Sequence, residues 1–235
     1  MKRRAVVWAV LAAGLGLLAW FCARPAACPH TAIPNDALAV QAEAAQPGRY
    51  VCLTFDDGPS KHTDAIAAAL AEYHAPATFF VTAQPANLPY YDRLPALLAA
   101  GHQIAMHSAS HDYAAIYQSP EAFWLDIKAL RQALEPYVPL DELYWLRFPG
   151  GSTNTVSHRY GGRQIMQRLI AEAEEKGYRW IDWNVCGEDA TAARPDAAQI
   201  TRNVTEGAAG RDVCIVLLHD TAATAATVRA LPDIL

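Results

Sequence analysis

From Tyr50 onward the chain alternates short apolar runs with amphipathic stretches, and this alternation constrains the fold more than any other feature. Repeated strand-then-helix segments build a mostly parallel sheet, because each helix returns the chain to start the next strand in the same direction. The strand candidates are Tyr50 to Phe55, Thr78 to Thr82, Gln103 to Met106, Leu143 to Arg147, Trp180 to Val185 and Val213 to Leu218. Helices are predicted over Thr63 to Tyr73, from a Ser119 cap with Pro120 at the first position to about Glu135, over Arg163 to Lys176 with Gly177 as the stop, and over Pro195 to Glu206. The 235 residues, 52% hydrophobic and 18% charged, are globular in composition and enough for a single catalytic domain with a full core. A formal net charge of -5, with no Lys/Arg cluster beyond the extreme N-terminus, leaves no basic footprint for nucleic acid. A monomer is expected.

Met1-Lys2-Arg3-Arg4 precedes an uncharged apolar run from Ala5 to Ala23, close to the ~20 residues that cross a bilayer as a helix. The basic head keeps the N-terminus in the cytoplasm and places everything after Arg24 outside. The expected organisation is residues 1–4 cytoplasmic, 5–23 a transmembrane helix or signal segment, 24–48 a linker and 49–235 the catalytic domain. An uncleaved single-pass anchor in the cell membrane is preferred; cleavage near Ala26 and Ala27 would instead give a secreted protein.

Five cysteines in an exported chain leave at least one unpaired or paired between chains. Cys52 and Cys214 each stand five residues before a candidate active-site group, Asp57 and His219. Buried thiols acting as small hydrophobes are the favoured reading over a disulfide between them.

The chemistry-bearing residues fall at strand ends, where parallel α/β folds gather their active sites. Asp56-Asp57 follows the first strand on an expected sharp turn, His107 the third, Arg147-Phe148-Pro149-Gly150-Gly151 the fourth, Asp182-Trp183 the fifth and His219-Asp220 the last. Adjacent carboxylates repel unless a cation or a shared proton lies between them. His107 and His111, four apart, would share one face if that stretch were helical. One carboxylate with two imidazoles is a hydrolytic metal-ligand set. Of the aromatics Tyr144, Trp145, Phe148, Trp180 and Trp183, only Trp183 is read as a pocket wall and the rest as core.

Thr54-Phe55-Asp56-Asp57-Gly58-Pro59, His107-Ser108-Ala109-Ser110-His111, Arg147-Phe148-Pro149 and Leu217-Leu218-His219 together resemble the polysaccharide deacetylases with NodB homology, carbohydrate esterase family 4. The resemblance runs from about Arg49 to the C-terminus. It implies an α/β fold, a distorted and incomplete (β/α) barrel, and metal-dependent removal of acetyl groups from N-acetylated sugars. Asp57, His107 and His111 then resemble the metal triad, with zinc the default and cobalt, nickel or manganese as alternatives. Asp56 resembles the catalytic base, Arg147 the arginine that orients it and His219 the acid that protonates the leaving amine. Pro149, Gly150, Trp183 and Leu217 take substrate-binding positions in the same resemblance.

Two departures from the family pattern stand out. In Trp180 to Ala190, Asp182-Trp183 can be the family's Asp-Trp pair, or Cys186 can occupy the aspartate position with Asp189-Ala190 in place of Asp-Trp. Under the second alignment Asp182 is the best candidate to support His219, and Asp220 is expected to contact a loop. The chain also stops at Leu235, where relatives continue to a final strand.

An outward-facing domain meets peptidoglycan first, so that polymer is the leading substrate expectation, with chitin-like glycans, polyglucosamine and acetylated xylan also open. The alternatives are a wall-binding module of the same fold without turnover and a small-molecule metal amidohydrolase, which would have a closed pocket in place of a groove.

Overall fold

The structure, a computed structural model, describes residues 48–235. The expected membrane segment and nearly all of the linker lie outside the described residues. Among those described, no helix is long and apolar enough to cross a membrane.

Seven strands form one parallel sheet in the order β5-β4-β3-β2-β1-β7-β6. They are β1 (Tyr50–Gly58), β2 (Ala77–Thr82), β3 (Gln103–Ser108), β4 (Trp145–Leu146), β5 (Arg179–Trp180), β6 (Val185–Cys186) and β7 (Val213–His219). The helices are α1 (Thr63–Glu72), α2 (Leu94–Ala99), α3 (Tyr113–Ile116), α4 (Pro120–Leu134), α5 (His158–Gly161), α6 (Ile165–Glu175), α7 (Ala197–Ala208) and α8 (Ala225–Ile234). The four predicted helices match α1, α4, α6 and α7 to within two residues at each end.

Local chemistry explains the helices. Ser119 Oγ accepts the Ala122 N–H at the start of α4, and Pro120 sits where a missing N–H leaves no bond unmade. Phe123, Ile127, Leu130 and Leu134 then recur on one buried face of α4. Asp196 caps α7 in the same way, accepting from Gln199 N at 2.8 Å.

The predicted strand Trp180 to Val185 is not one strand. It breaks into β5, paired with β4, and β6, paired with β7, at opposite edges of the sheet. Asn184 causes the break: its side-chain amide donates to Val213 O, and its Oδ1 accepts the Ile215 N–H that a strand carbonyl would otherwise take. Five extended steps separate Trp180 from Val185, so the two edges can stand no more than about 18 Å apart. This crossing curls the sheet into an incomplete barrel.

The curl gives the sheet two buried faces. Phe80, Ala105, Ile181, Trp183, Ile215 and Leu217 fill its inside, while Phe55, Phe79, Ile104, Met106, Val216 and Leu218 face the helices. Strands buried on both sides read as continuous apolar runs, as these do. Cys52 packs on the inner cluster and Cys214 on the outer one, so the two free thiols lie on opposite faces and cannot pair. Cys186 is disulfide-bonded. Phe148 is core as expected, but Tyr144 is 41% exposed and belongs to the surface.

Candidate functional site

Side-chain parity turns Asp56 and His219 to the inside of the curl, since they are register partners on β1 and β7 and follow Thr54 and Leu217 by two. Strict alternation would send Asp57 to the other face. A register shift between Asp56 and Gly58, with Asp57 at φ 70°, turns it back so that both carboxylates serve one site. They lie in a bulged strand end, not on the sharp turn expected. A left-handed conformation costs a non-glycine residue about 1–3 kcal/mol, and the surroundings hold it. Asn87 Nδ2 donates to Asp57 O at 2.7 Å and to Pro59 O at 2.9 Å, while its Oδ1 accepts from Thr82 Oγ1 at 2.8 Å. Asp220 closes the turn from the other side, accepting from Ser60 Oγ and Thr63 Oγ1, each at 2.6 Å. Only glycine fits at position 58, because a Cβ there would lie 2.7 Å from Asp220 Oδ2.

His107 is the penultimate residue of β3, whereas His111 lies in the loop beyond it at φ 53°, so the two imidazoles do not share a helix face. A carboxylate on α4 builds this loop. Asp126 accepts from Ser108 Oγ at 2.6 Å and from the N–H groups of Ala109 and Ser110, and Ser108 Oγ in turn accepts from His111 N. Neither Asn87 nor Asp126 is marked by any motif in the sequence.

The ligand atoms of Asp57, His107 and His111 all lie within 4.8 Å of one another. Asp57 Oδ1 is buried without a hydrogen-bond partner, 3.4 Å from His111 Nε2 and 3.7 Å from His107 Nε2. The opposite nitrogen of His107, Nδ1, lies 2.7 Å from Arg147 O. A carbonyl only accepts, so Nδ1 carries the proton and Nε2 presents its lone pair to Asp57. Burial pushes His107 below the usual imidazole range in spite of Asp56 and Asp57, which keeps it in the neutral, ligating form. Burial works to raise the Asp57 carboxyl, yet His111, His107 and His219 prevail and hold it low. Converging lone pairs around an orphaned buried oxygen fit a divalent cation, and the carboxylate and imidazole donors suit zinc.

Arg147 is fully buried. It donates to Asp56 Oδ1 at 2.8 Å, to Thr54 Oγ1 at 2.7 Å, and to the carbonyls of Ile181 and Asp182, with its guanidinium carbon 4.1 Å from the Phe80 ring centroid. All the surrounding groups accept, so Asp56 is held in one orientation beside the ligands. Asp182 is not the partner of His219. Its carboxylate accepts instead from the N–H and hydroxyl of Ser152 and anchors the loop after Arg147. Burial raises the Asp182 carboxyl against those two hydrogen bonds.

The partner of His219 is Asp189. Its Oδ1 lies 2.8 Å from His219 Nδ1, and its Oδ2 accepts from His219 N and from Thr227 Oγ1 on α8. Burial opposes charge on the ring, but the charge and hydrogen bond of Asp189, then Asp57 and Asp56, raise the His219 pKa to about 9. The imidazole is therefore protonated at neutral pH. The second alignment of the fourth motif contains Asp189, but Asp182 was the preferred candidate from sequence, because nothing along the chain shows which carboxylate reaches the ring.

Of the substrate-binding positions, Gly150 is half-buried beside the cluster, while Pro149 is buried with its carbonyl accepting from Tyr117 Oη. Trp183 is 6% exposed and Leu217 4%, both inside the curl, so neither offers a broad wall to a sugar. Tyr113, which no motif marks, packs edge-on to His111 with ring centroids 5.6 Å apart.

A cation-ready triad, a guanidinium-held carboxylate and a charged histidine on the inner face of a curled parallel sheet define a class: hydrolases acting at a carbonyl. The model of the family described as polysaccharide deacetylase matches residues 43–179, and the chain belongs to that family. It is 32% identical over 179 residues to a chitooligosaccharide deacetylase of Rhizobium leguminosarum, covering 76% of this chain and 74% of that one. It is 30% identical to a peptidoglycan-N-acetylglucosamine deacetylase of Bacillus cereus over 72% of this chain but only 58% of that longer protein. Among solved structures, the catalytic domain of a peptidoglycan N-acetylglucosamine deacetylase from Eubacterium rectale has a TM-score of 0.75 at 35% identity, covering 81% of this chain and 84% of that one.

Proposed function

We propose that the protein hydrolyses acetyl groups from N-acetylated sugars of an extracellular polysaccharide, with peptidoglycan first and chitin-like oligomers next. The observation that carries this reading is the convergence of Asp57, His107 and His111 around the orphaned Asp57 oxygen, with Asp56 alongside. A divalent cation held by those three residues, zinc by preference, supplies a Lewis acid that acidifies water and polarises the acetyl carbonyl. Asp56, oriented by Arg147, takes the proton of the attacking water. His219, kept charged by Asp189, gives a proton to the sugar nitrogen, which leaves poorly as an anion.

The similarity to a chitooligosaccharide deacetylase and to peptidoglycan N-acetylglucosamine deacetylases supports these two substrate classes. An extracellular location is supported by the basic and apolar N-terminal pattern, with the segment serving as a membrane anchor, and by the disulfide at Cys186, since such bonds persist in oxidising compartments. A monomer suffices for this chemistry.

The test is acetate release from peptidoglycan and from N-acetylglucosamine oligomers, comparing chelator-stripped protein with the same protein reloaded with zinc or cobalt. Release that vanishes on stripping and returns with metal is expected. A folded, reloaded protein that frees no acetate from either substrate would instead be a wall-binding module.

A further inference from the structure

Two tyrosines flank the loop that follows Arg147, and their hydroxyls are used differently. Tyr117 is fully buried and its hydroxyl donates to Pro149 O at 2.7 Å, a structural bond. Tyr113 is half-buried, and its hydroxyl makes no hydrogen bond among the described residues, nor is it sealed from solvent. Its ring is fixed between His111 and Tyr117, edge-on to both at centroid distances of 5.6 Å. Asp112 caps the first turn of α3, accepting from Ala114 N, and so sets the backbone from which Tyr113 projects.

The phenol reaches over the Gly150 backbone. A Cβ at Gly150 would stand 2.7 Å from Tyr113 Oη, and the positive φ of 77° also favours glycine there. Phenylalanine would pack as well against the two neighbouring rings, so packing alone leaves the hydroxyl without a use. A phenolic O–H with no protein acceptor, fixed next to a ligand imidazole and bordering the Gly150 turn, is a donor kept for something that enters the site.

We infer that the Tyr113 hydroxyl is a substrate-contacting hydrogen-bond donor to the carbonyl oxygen of the acetyl group. This rests on the proposed deacetylase reading. The O–H bond stays intact throughout; the phenol only donates to an oxygen that gains negative charge as water attacks the carbonyl carbon. Such a donor acts most strongly where charge develops, so its effect belongs mainly to turnover. The preformed ring contacts with His111 and Tyr117 remove most of the cost of orienting it.

The experiment compares Tyr113→Phe with wild type, both zinc-loaded, in three measurements: metal content with melting temperature, acetate release from N-acetylglucosamine oligomers, and calorimetric affinity for acetohydroxamate, a carbonyl-bearing probe that needs no turnover. Metal content and melting temperature should match wild type, because the hydroxyl bonds nothing in the protein. The expected result is a fall in kcat of about 10²-fold, the usual cost of one such donor, with acetohydroxamate bound about tenfold more weakly, the size of one hydrogen bond. Equal kcat and equal probe affinity in the two proteins would overturn the inference. A raised KM alone, with kcat and probe affinity unchanged, would move the contact to the sugar ring and also overturn it. Wild type that neither frees acetate nor binds the probe defeats the deacetylase reading itself, a separate outcome.

Discussion

His219 Nδ1 lies 2.8 Å from Asp189 Oδ1, while the other oxygen of Asp189 accepts from the His219 backbone and from Thr227 on α8. This pair couples the last strand to the last helix and sets the charge of the ring. A pKa raised to about 9 means the ring holds its proton at neutral pH and loses it as pH rises through the folded value. The stability that charge confers is complete below the ordinary histidine range and fades over the same rise.

Activity should therefore fall on the alkaline side, as the acid form of His219 is lost. A cation beside Asp57 cancels part of that carboxylate's pull on the ring, so the limb in the loaded enzyme should lie below 9. Asp189→Asn should move it further toward the ordinary imidazole range, measured as kcat against pH. An unmoved limb would separate His219 from the proton transfer.

Asp57→Asn and His111→Ala should each abolish stoichiometric zinc in purified protein, read by elemental analysis. Chelator treatment of wild type should reproduce the inactive state, and either variant retaining one zinc per chain would remove that residue from the ligand set.

Asn87→Ala should weaken zinc affinity by about 10–100-fold, the usual effect of losing a group that orients a ligand, because the Asp57 carbonyl loses its amide donor. A competition assay with a zinc-chelating dye measures it. Unchanged affinity would show that the strand pairing alone holds the left-handed Asp57.

Arg147→Leu should destabilise the fold by about 3–5 kcal/mol in urea unfolding, since one partner of a buried ion pair is removed. Asp56, Thr54 and two carbonyls would lose their donor together. A loss below about 1 kcal/mol would mean that water replaces the guanidinium.

The strand-then-helix alternation and the ligand triad were legible because both are local. Apolar runs name strands whatever lies beside them, and Asp57, His107 and His111 stand in contiguous motifs. The fifth strand was misread because Trp180, Ile181, Trp183 and Val185 read as one short apolar segment in spite of Asp182 and Asn184, and only the bonds of Asn184 to β7 reveal that it spans two edges. The spacing of His107 and His111 would put them on one face only in a helix, and the sequence does not show that Asp126, on α4, holds that segment as a loop.

By itself, then, the order of residues determined a parallel α/β sheet, its family and the donors available for a cation, because hydrophobic periodicity and motif spacing act over a few residues. Which carboxylate supports His219, how two adjacent aspartates come to face one site, and where the Tyr113 hydroxyl lies were decided only by the folded chain. Each depends on groups distant in sequence, Thr227 against Asp189, Asn87 against Asp57 and Gly150 beneath Tyr113, and the curl of the sheet is what brings them within bonding distance.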